Sequence, residues 1–149
     1  MNREIIYRGK RCSKQYERQD EWVYGYYVES NRSWNGHKPH KSWILNSPMT
    51  NGGWFALQSR IPVVDETVGQ YTGLKDRKGQ RIFEGDIIKW MQIICEEDGV
   101  WTCSGTVTFC NGVFCVDDDH DSSLDYIEWA SEEYGGIQII GNIFDEKKS

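Results

Sequence analysis

Apolar side chains recur along most of this chain with the spacing of β-strands. Trp22, Tyr24, Tyr26 and Val28 alternate with Val23, Gly25 and Tyr27, a period of two in a β-rich composition that predicts a first strand. Residues 31–41 are polar and turn-rich, with Asn35-Gly36 and Pro39, and read as an exposed loop before a short strand at Trp43-Ile44-Leu45. Asn51-Gly52-Gly53 breaks the chain again ahead of Trp54-Phe55-Ala56-Leu57. Nothing in this half sustains the 3.6-residue period of a long helix.

The second half is more sharply punctuated. Asp76-Arg77-Lys78-Gly79 has the composition of a type I turn closing into a left-handed glycine. Glu84-Gly85 turns tightly into a strand expected to run from Asp86 to about Cys95. Asn111-Gly112 separates two β-rich runs and is the strongest hairpin signal in the chain, because a type I′ turn needs positive φ at both central residues. A two-residue turn sets Cys110 opposite Val113, Phe109 opposite Phe114, Thr108 opposite Cys115 and Val107 opposite Val116. One face then carries Val107, Phe109, Phe114 and Val116 and is expected to be core, with Cys110 and Cys115 diagonal neighbours on the other, near enough to oxidise in vitro but not expected to be paired in the cell. Leu124, Ile127 and Tyr134, with Ala130 or Ser131 between, fit a short amphipathic helix. Residues 137–144 alternate as a last strand with a pause at Gly141-Asn142, and 146–149 form a solvated tail.

Charge divides the chain more abruptly than hydropathy does. Residues 1–64 hold ten Lys or Arg against five Asp or Glu, whereas residues 65–149 hold seven against eighteen, a net of −11. Such asymmetry fits two lobes with different partners, or one fold whose basic and acidic surfaces face apart and attract a second copy. At 149 residues the chain is long enough to bury its own core. No apolar stretch approaches the roughly 20 residues of a membrane span. Met1-Asn2-Arg3-Glu4 leads into only Ile5, Ile6 and Tyr7, so the start lacks the usual build of a secretory signal and a cytoplasmic location is expected. Five cysteines (Cys12, Cys95, Cys103, Cys110, Cys115) include no Cys-x-x-Cys pair and are expected as free thiols in small apolar sites.

Several stretches together resemble a known family. They are residues 3–11 (Arg-Glu-Ile-Ile-Tyr-Arg-Gly-Lys-Arg), Glu21 to Gly25, residues 66–76 from Glu66 through Gly69-Gln70-Tyr71-Thr72-Gly73 to Asp76, then Gly79 with Ile82-Phe83-Glu84-Gly85-Asp86-Ile87-Ile88, and the closing Ile139-Ile140-Gly141-Asn142-Ile143-Phe144. In this order they resemble the YopX family over essentially the whole chain. The resemblance implies a small protein of bacteriophages and prophages, mostly β, with a C-terminal part similar to SH3-type barrels. The expected fold is therefore one YopX-like domain over 1–149: a basic, aromatic, β-rich N-terminal lobe (1–64) and an SH3-like β-barrel part (65–149). The resemblance brings no catalytic residue and no cofactor.

Candidate chemistry is sparse. His37 and His40 flank Pro39 in a loop with no obvious further ligand, and His120 is the only other histidine. Gly-x-Ser-x-Gly, Walker and Gly-x-Gly-x-x-Gly patterns are absent, so no catalytic, cofactor or metal residue is nominated and an enzyme is not expected. Asp86, after a glycine at a strand start, reads as a turn carboxylate accepting backbone hydrogen bonds. Asp117, Asp119, Asp121, Ser123, Asp125 and Glu128 match the ligand spacing of a calcium loop. Ser122 occupies the place where that loop needs glycine, and a strand precedes it, so a solvated acidic loop is the expectation. Tyr7, Trp22, Tyr24, Tyr26 and Trp34 interleave with Arg8, Lys10, Arg11, Lys14, Arg18 and Arg32, the mixture a single-stranded nucleic acid needs. Strand aromatics also build cores, and an acidic protein repels a polyanion. The composite expectation is a non-catalytic accessory module that binds a host or phage protein and has no membrane partner. Single-stranded nucleic-acid binding by the basic half is the alternative, and self-association is compatible with either.

Overall fold

The computed structural model describes residues 4–12, 18–30, 41–45, 60–118 and 121–145, and its contacts divide the chain into two units, Met1–Tyr71 and Thr72–Ser149. Both are mostly β.

In the first unit the strands are β1 (Tyr7–Cys12), β2 (Arg18–Glu29), β3 (Ser42–Leu45), β4 (Arg60–Pro62) and the opening residues of β5 (Gly69–Lys75). The strand containing Trp22 is thus the second, and the first was hidden because Tyr7-Arg8-Gly9-Lys10-Arg11 carries charges where a strand pattern wants apolar residues. Antiparallel pairing runs β4-β3-β2-β1, with Tyr7 opposite Gln70 where β5 begins. In β2 the buried member of the alternation is Val23, while Tyr24, Tyr26 and Val28 are exposed. Val23, Ile44 and Val63 form a small core flanked by Tyr7, Ile61 and Val68. Gly9 is required there, because a Cβ at that position would lie 2.9 Å from the Cβ of Val63. Thr67, in a 3-10 turn at Asp65–Thr67, accepts a hydrogen bond from the Lys10 amide at 2.8 Å and donates to the Val64 carbonyl.

The second unit continues β5 into β6 (Arg81–Phe83), β7 (Asp86–Ile93), β8 (Val100–Cys110), β9 (Val113–Asp117), helix α1 (Leu124–Ser131) and β10 (Gln138–Asn142). Its antiparallel sheet has the order β10-β7-β8-β9. Among the described residues the strands form open sheets, and none closes into a barrel. The turns follow their sequence signatures. Asp76 Oδ1 accepts from the amides of Lys78 and Gln80, both at 2.9 Å, and Asp86 Oδ2 accepts from the Phe83 amide at 2.8 Å. Asn111 and Gly112 both have positive φ, and every residue pair expected across that hairpin is observed. β7 ends at Ile93, short of Cys95, and β10 has an irregularity between Ile139 and Gly141, one residue before the expected pause.

Ser123 caps α1 by accepting a hydrogen bond from the Tyr126 amide. Leu124, Ile127 and Ser131 turn inward at i, i+3 and i+7, and the two apolar ones join Ile82, Ile88, Trp90, Val107, Val116 and Ile137 in the main core. Two expectations need correction. Phe109 was placed on the core face but is 53 % exposed, its ring against that of Phe114 with centroids 5.1 Å apart. Leu124 and Ile127 cluster with Val107 and Val116 but not with Phe109, so the core gives out before the turn. Cys110 and Cys115, expected as thiols, form a disulfide with Cα atoms 6.4 Å apart, a spacing that the hairpin register itself provides. Cys12, Cys95 and Cys103 are free.

Candidate functional site

A groove of about 560 Å³ opens in the second unit between α1 and the turn that follows β5. One wall is a helical stripe: Asp125, Glu128, Trp129 and Glu132 recur at i, i+3, i+4 and i+7, beside the stripe that enters the core, with Trp129 farthest from it. The other wall is Lys75, Asp76 and Arg77, and Gly135, Gly136 and Ile137 also line the groove. Asp76 is buried and spends both carboxylate oxygens on backbone amides, Oδ2 accepting from Ile139 at 3.4 Å. The Arg77 amide donates to the Ile137 carbonyl at 2.8 Å. Gly135 and Gly136 have φ of 95° and 78°, and a Cβ at either would reach only the Arg77 side chain, at 4.0 and 3.9 Å. The glycine pair therefore serves its backbone, ending the 3-10 turn Glu132–Tyr134 in the left-handed region, and a side chain there would have space beside Arg77.

Trp129 is the side chain that gives this groove chemical character. It is 72 % exposed and keeps one aromatic neighbour, Tyr126, at 5.9 Å between centroids. Among the described residues the carboxylates of Asp125, Glu128 and Glu132 have no ion-pair partner, and all three are exposed. An exposed indole on the same wall as three carboxylates can attract an organic cation, by the ring quadrupole and by charge together.

The residues singled out in the sequence are distributed differently. His37, His40, His120, Asp119, Lys14, Arg32 and Trp34 lie outside the described residues. In the calcium spacing, Asp117 ends β9, Ser123 caps α1, and Asp125 and Glu128 are on α1, while Asp118 holds the Ser122 amide at 3.2 Å. Among the described residues no group of three or more His, Cys, Asp or Glu is placed to hold a metal. Asp86 has the turn role expected of it. In the basic half, the Arg8 guanidinium and the Lys10 ammonium lie over the Trp22 ring at 4.2 and 4.6 Å, with Arg8 5 % and Lys10 2 % exposed. Lys10 Nζ also donates to the Asp20 carbonyl at 3.1 Å. Burial pushes the Cys12 thiol up to about 11 and raises that of Cys103, with Asp65 and Asp118 adding smaller contributions in the same direction. Neither is an activated nucleophile.

Sequence reasoning missed Trp129 and Arg77. The signal for Trp129 was present: once Leu124 and Ile127 define the inward stripe, a tryptophan two residues after Ile127 falls on the opposite face. Arg77 joins the groove only through the return of Ile137 to its amide, a contact across 60 residues of sequence that no local pattern encodes.

No helix among the described residues is long and apolar enough to cross a membrane. None of the curated proteins compared matches the chain. The model of the family described as "YopX protein" matches residues 3–148, and with nearly its whole length covered the chain belongs to that family.

Proposed function

We propose that this protein is a non-catalytic accessory module of a phage or prophage, acting in the bacterial cytoplasm by docking a basic protein of the host or the phage. The observation that carries this reading is the contrast in how the two units use charge. Arg8 and Lys10, two of the six cations that made the N-terminal half look like a polyanion-binding surface, are buried against Trp22, whereas Asp125, Glu128 and Glu132 face solvent beside an exposed tryptophan. Exposed charge of one sign steers a partner of the other and repels nucleic acid. The second unit's succession of short antiparallel strands is compatible with a relationship to SH3-type barrels, in which the groove would be an elaboration at one edge.

The test is to recover partners with tagged protein from infected cells and measure association of the purified pair across ionic strength. A basic protein partner whose association rate falls steeply with salt supports docking by the acidic unit. Tyr24 and Tyr26, exposed on β2, and Arg60 over the Trp43 ring at 4.6 Å favour the alternative, single-stranded nucleic-acid binding by the first unit. A salt-dependent mobility shift on single-stranded DNA, lost with Tyr24→Ala and Tyr26→Ala together, would put that reading first.

A further inference from the structure

The geometry points to the Trp129 groove as a binding site for a short extended protein segment bearing arginine, its guanidinium stacked on the Trp129 indole and forked onto the carboxylates of Glu128, Glu132 or Asp125. The inference rests on the docking reading and names where and by what chemistry the docking occurs.

Three observations converge. Trp129 leaves most of its surface in water on a helix whose opposite face is well buried, and an exposed indole of that kind contributes little to folding while offering a large rigid contact area. The helix is also electrostatically unfavourable by itself. Glu128 and Glu132 are like charges at i and i+4, Glu132 and Glu133 lie at the C-terminal end, and no basic residue occupies the last turn, so the negative end of the helix dipole meets further negative charge. A cation bound over Trp129 relieves both penalties at once, and rules of local consistency are typically broken where a ligand restores them. Finally, Asp125 and Glu132, the C-cap of the helix, are seven helical steps apart, about 10 Å at 1.5 Å per step. That is the length of roughly three residues of extended chain.

Arginine fits better than lysine. Its planar guanidinium stacks on an indole and presents paired donors to a carboxylate, where an ammonium is a strongly hydrated point charge. Lys75 and Arg77 on the opposite wall make a uniformly polycationic chain a poor occupant, because only the helix side accepts cations. The preferred segment carries isolated arginines facing α1.

The experiment titrates the full chain with a capped hexapeptide containing two arginines among serines, and with its lysine and glutamate counterparts, by calorimetry and by the indole resonance of Trp129, assigned with Trp129→Phe. The arginine peptide is expected to bind and to move that resonance, the lysine peptide to bind more weakly and the glutamate peptide not at all. Trp129→Ala should weaken binding about tenfold or more with an unchanged melting temperature, since the side chain is exposed. Glu128→Gln with Glu132→Gln should weaken it several-fold while raising the melting temperature. An arginine peptide that fails to bind, or that binds Trp129→Ala as tightly as the native chain, overturns the groove assignment. If the basic partner recovered from cells still binds Trp129→Ala but is lost on neutralising Glu96, Glu97 and Asp98, the groove assignment has failed and docking by the acidic unit stands. Partner binding that survives both sets and disappears with the Tyr24 and Tyr26 substitutions means that docking by the acidic unit has failed as well.

Discussion

The two units use the same kinds of side chain to opposite ends. In the first, charged groups are part of the interior: among the described residues Arg8 and Lys10 are buried beside Trp22, and the apolar cluster they supplement is built on Val23, Ile44 and Val63. In the second, eight buried apolar side chains, on β6 to β9, on α1 and at Ile137 just before β10, supply the interior; Asp76 and Asp86 are buried as acceptors of turn amides, whereas Asp125, Glu128 and Glu132 are left outside with an exposed tryptophan among them. A cation laid on an indole can replace missing apolar burial because its aliphatic stem packs like a hydrophobe while the charge meets the ring. Charge in a sequence is therefore no guide to surface until the partner of each charge is known.

The largest effect that tests this contrast lies in the second core. Ile127 is fully buried beneath α1, and Ile127→Ala should cost about 3 kcal/mol in urea unfolding. A loss below about 1 kcal/mol would mean that α1 is an appendage rather than part of the core. Next comes Lys10→Ala, expected to cost about 2 kcal/mol because it removes a buried cation–π contact and a hydrogen bond to Asp20. Lys10→Met should recover part of that by keeping the stem, and Glu128→Gln should be close to neutral. Equal losses at Lys10 and Glu128 would erase the distinction between structural and presented charge.

Phe114→Ala follows at roughly 1 to 2 kcal/mol, since the ring is half-buried rather than enclosed, with Thr108→Ala smaller still. A full core penalty at Phe114 would show that the hydrophobic face extends to the turn after all. The smallest effect is read in rate. Cys12 is buried and its thiol is raised to about 11, so at pH 8.5 exposed Cys95 should be alkylated well before it. The same shift has a thermodynamic sign. Above the ordinary thiol value of 9.0 the unfolded chain loses this proton while the folded one keeps it, so Cys12 lowers stability progressively from there to about 11. A Cys12→Ala variant with an unchanged alkaline slope in its stability curve would assign that slope elsewhere.

Local chemistry made much of this fold legible in advance. Asn111-Gly112 fixed the pairing from Thr106 to Asp117 because a two-residue turn leaves no freedom of register. The turn at Asp76 to Gly79 and the acceptor role of Asp86 were readable, as was a short helix with Leu124 and Ile127 inward, although Tyr134 falls beyond its end. What escaped depends on distant partners. β1 looked polar because Arg8 and Lys10 pack over Trp22 on the neighbouring strand. Phe109 looked like core because alternation gives the face of a residue but not how far along the strand that face remains covered. The groove required residues from 75–77, 125–132 and 135–137 to meet, and only the helical part of that set has a periodic signature.

Asp76 also governs the order in which the second unit can be made. The carboxylate that shapes the turn after β5 holds Ile139 across a sequence separation of 63 residues, and β10 then pairs with β7 on the edge of the sheet. Loop-closure entropy must be met before such a contact gives anything back, so the hairpins β7–β8 and β8–β9 can form early while the unit as a whole waits for its last strand. On a ribosome, which releases a chain from its N-terminus, the first unit can settle during synthesis, but the second cannot finish until β10 has emerged. Until then its apolar interior is open to chaperones and to neighbouring chains. A premature stop before Ile137 would therefore leave an aggregation-prone polypeptide rather than a smaller working protein.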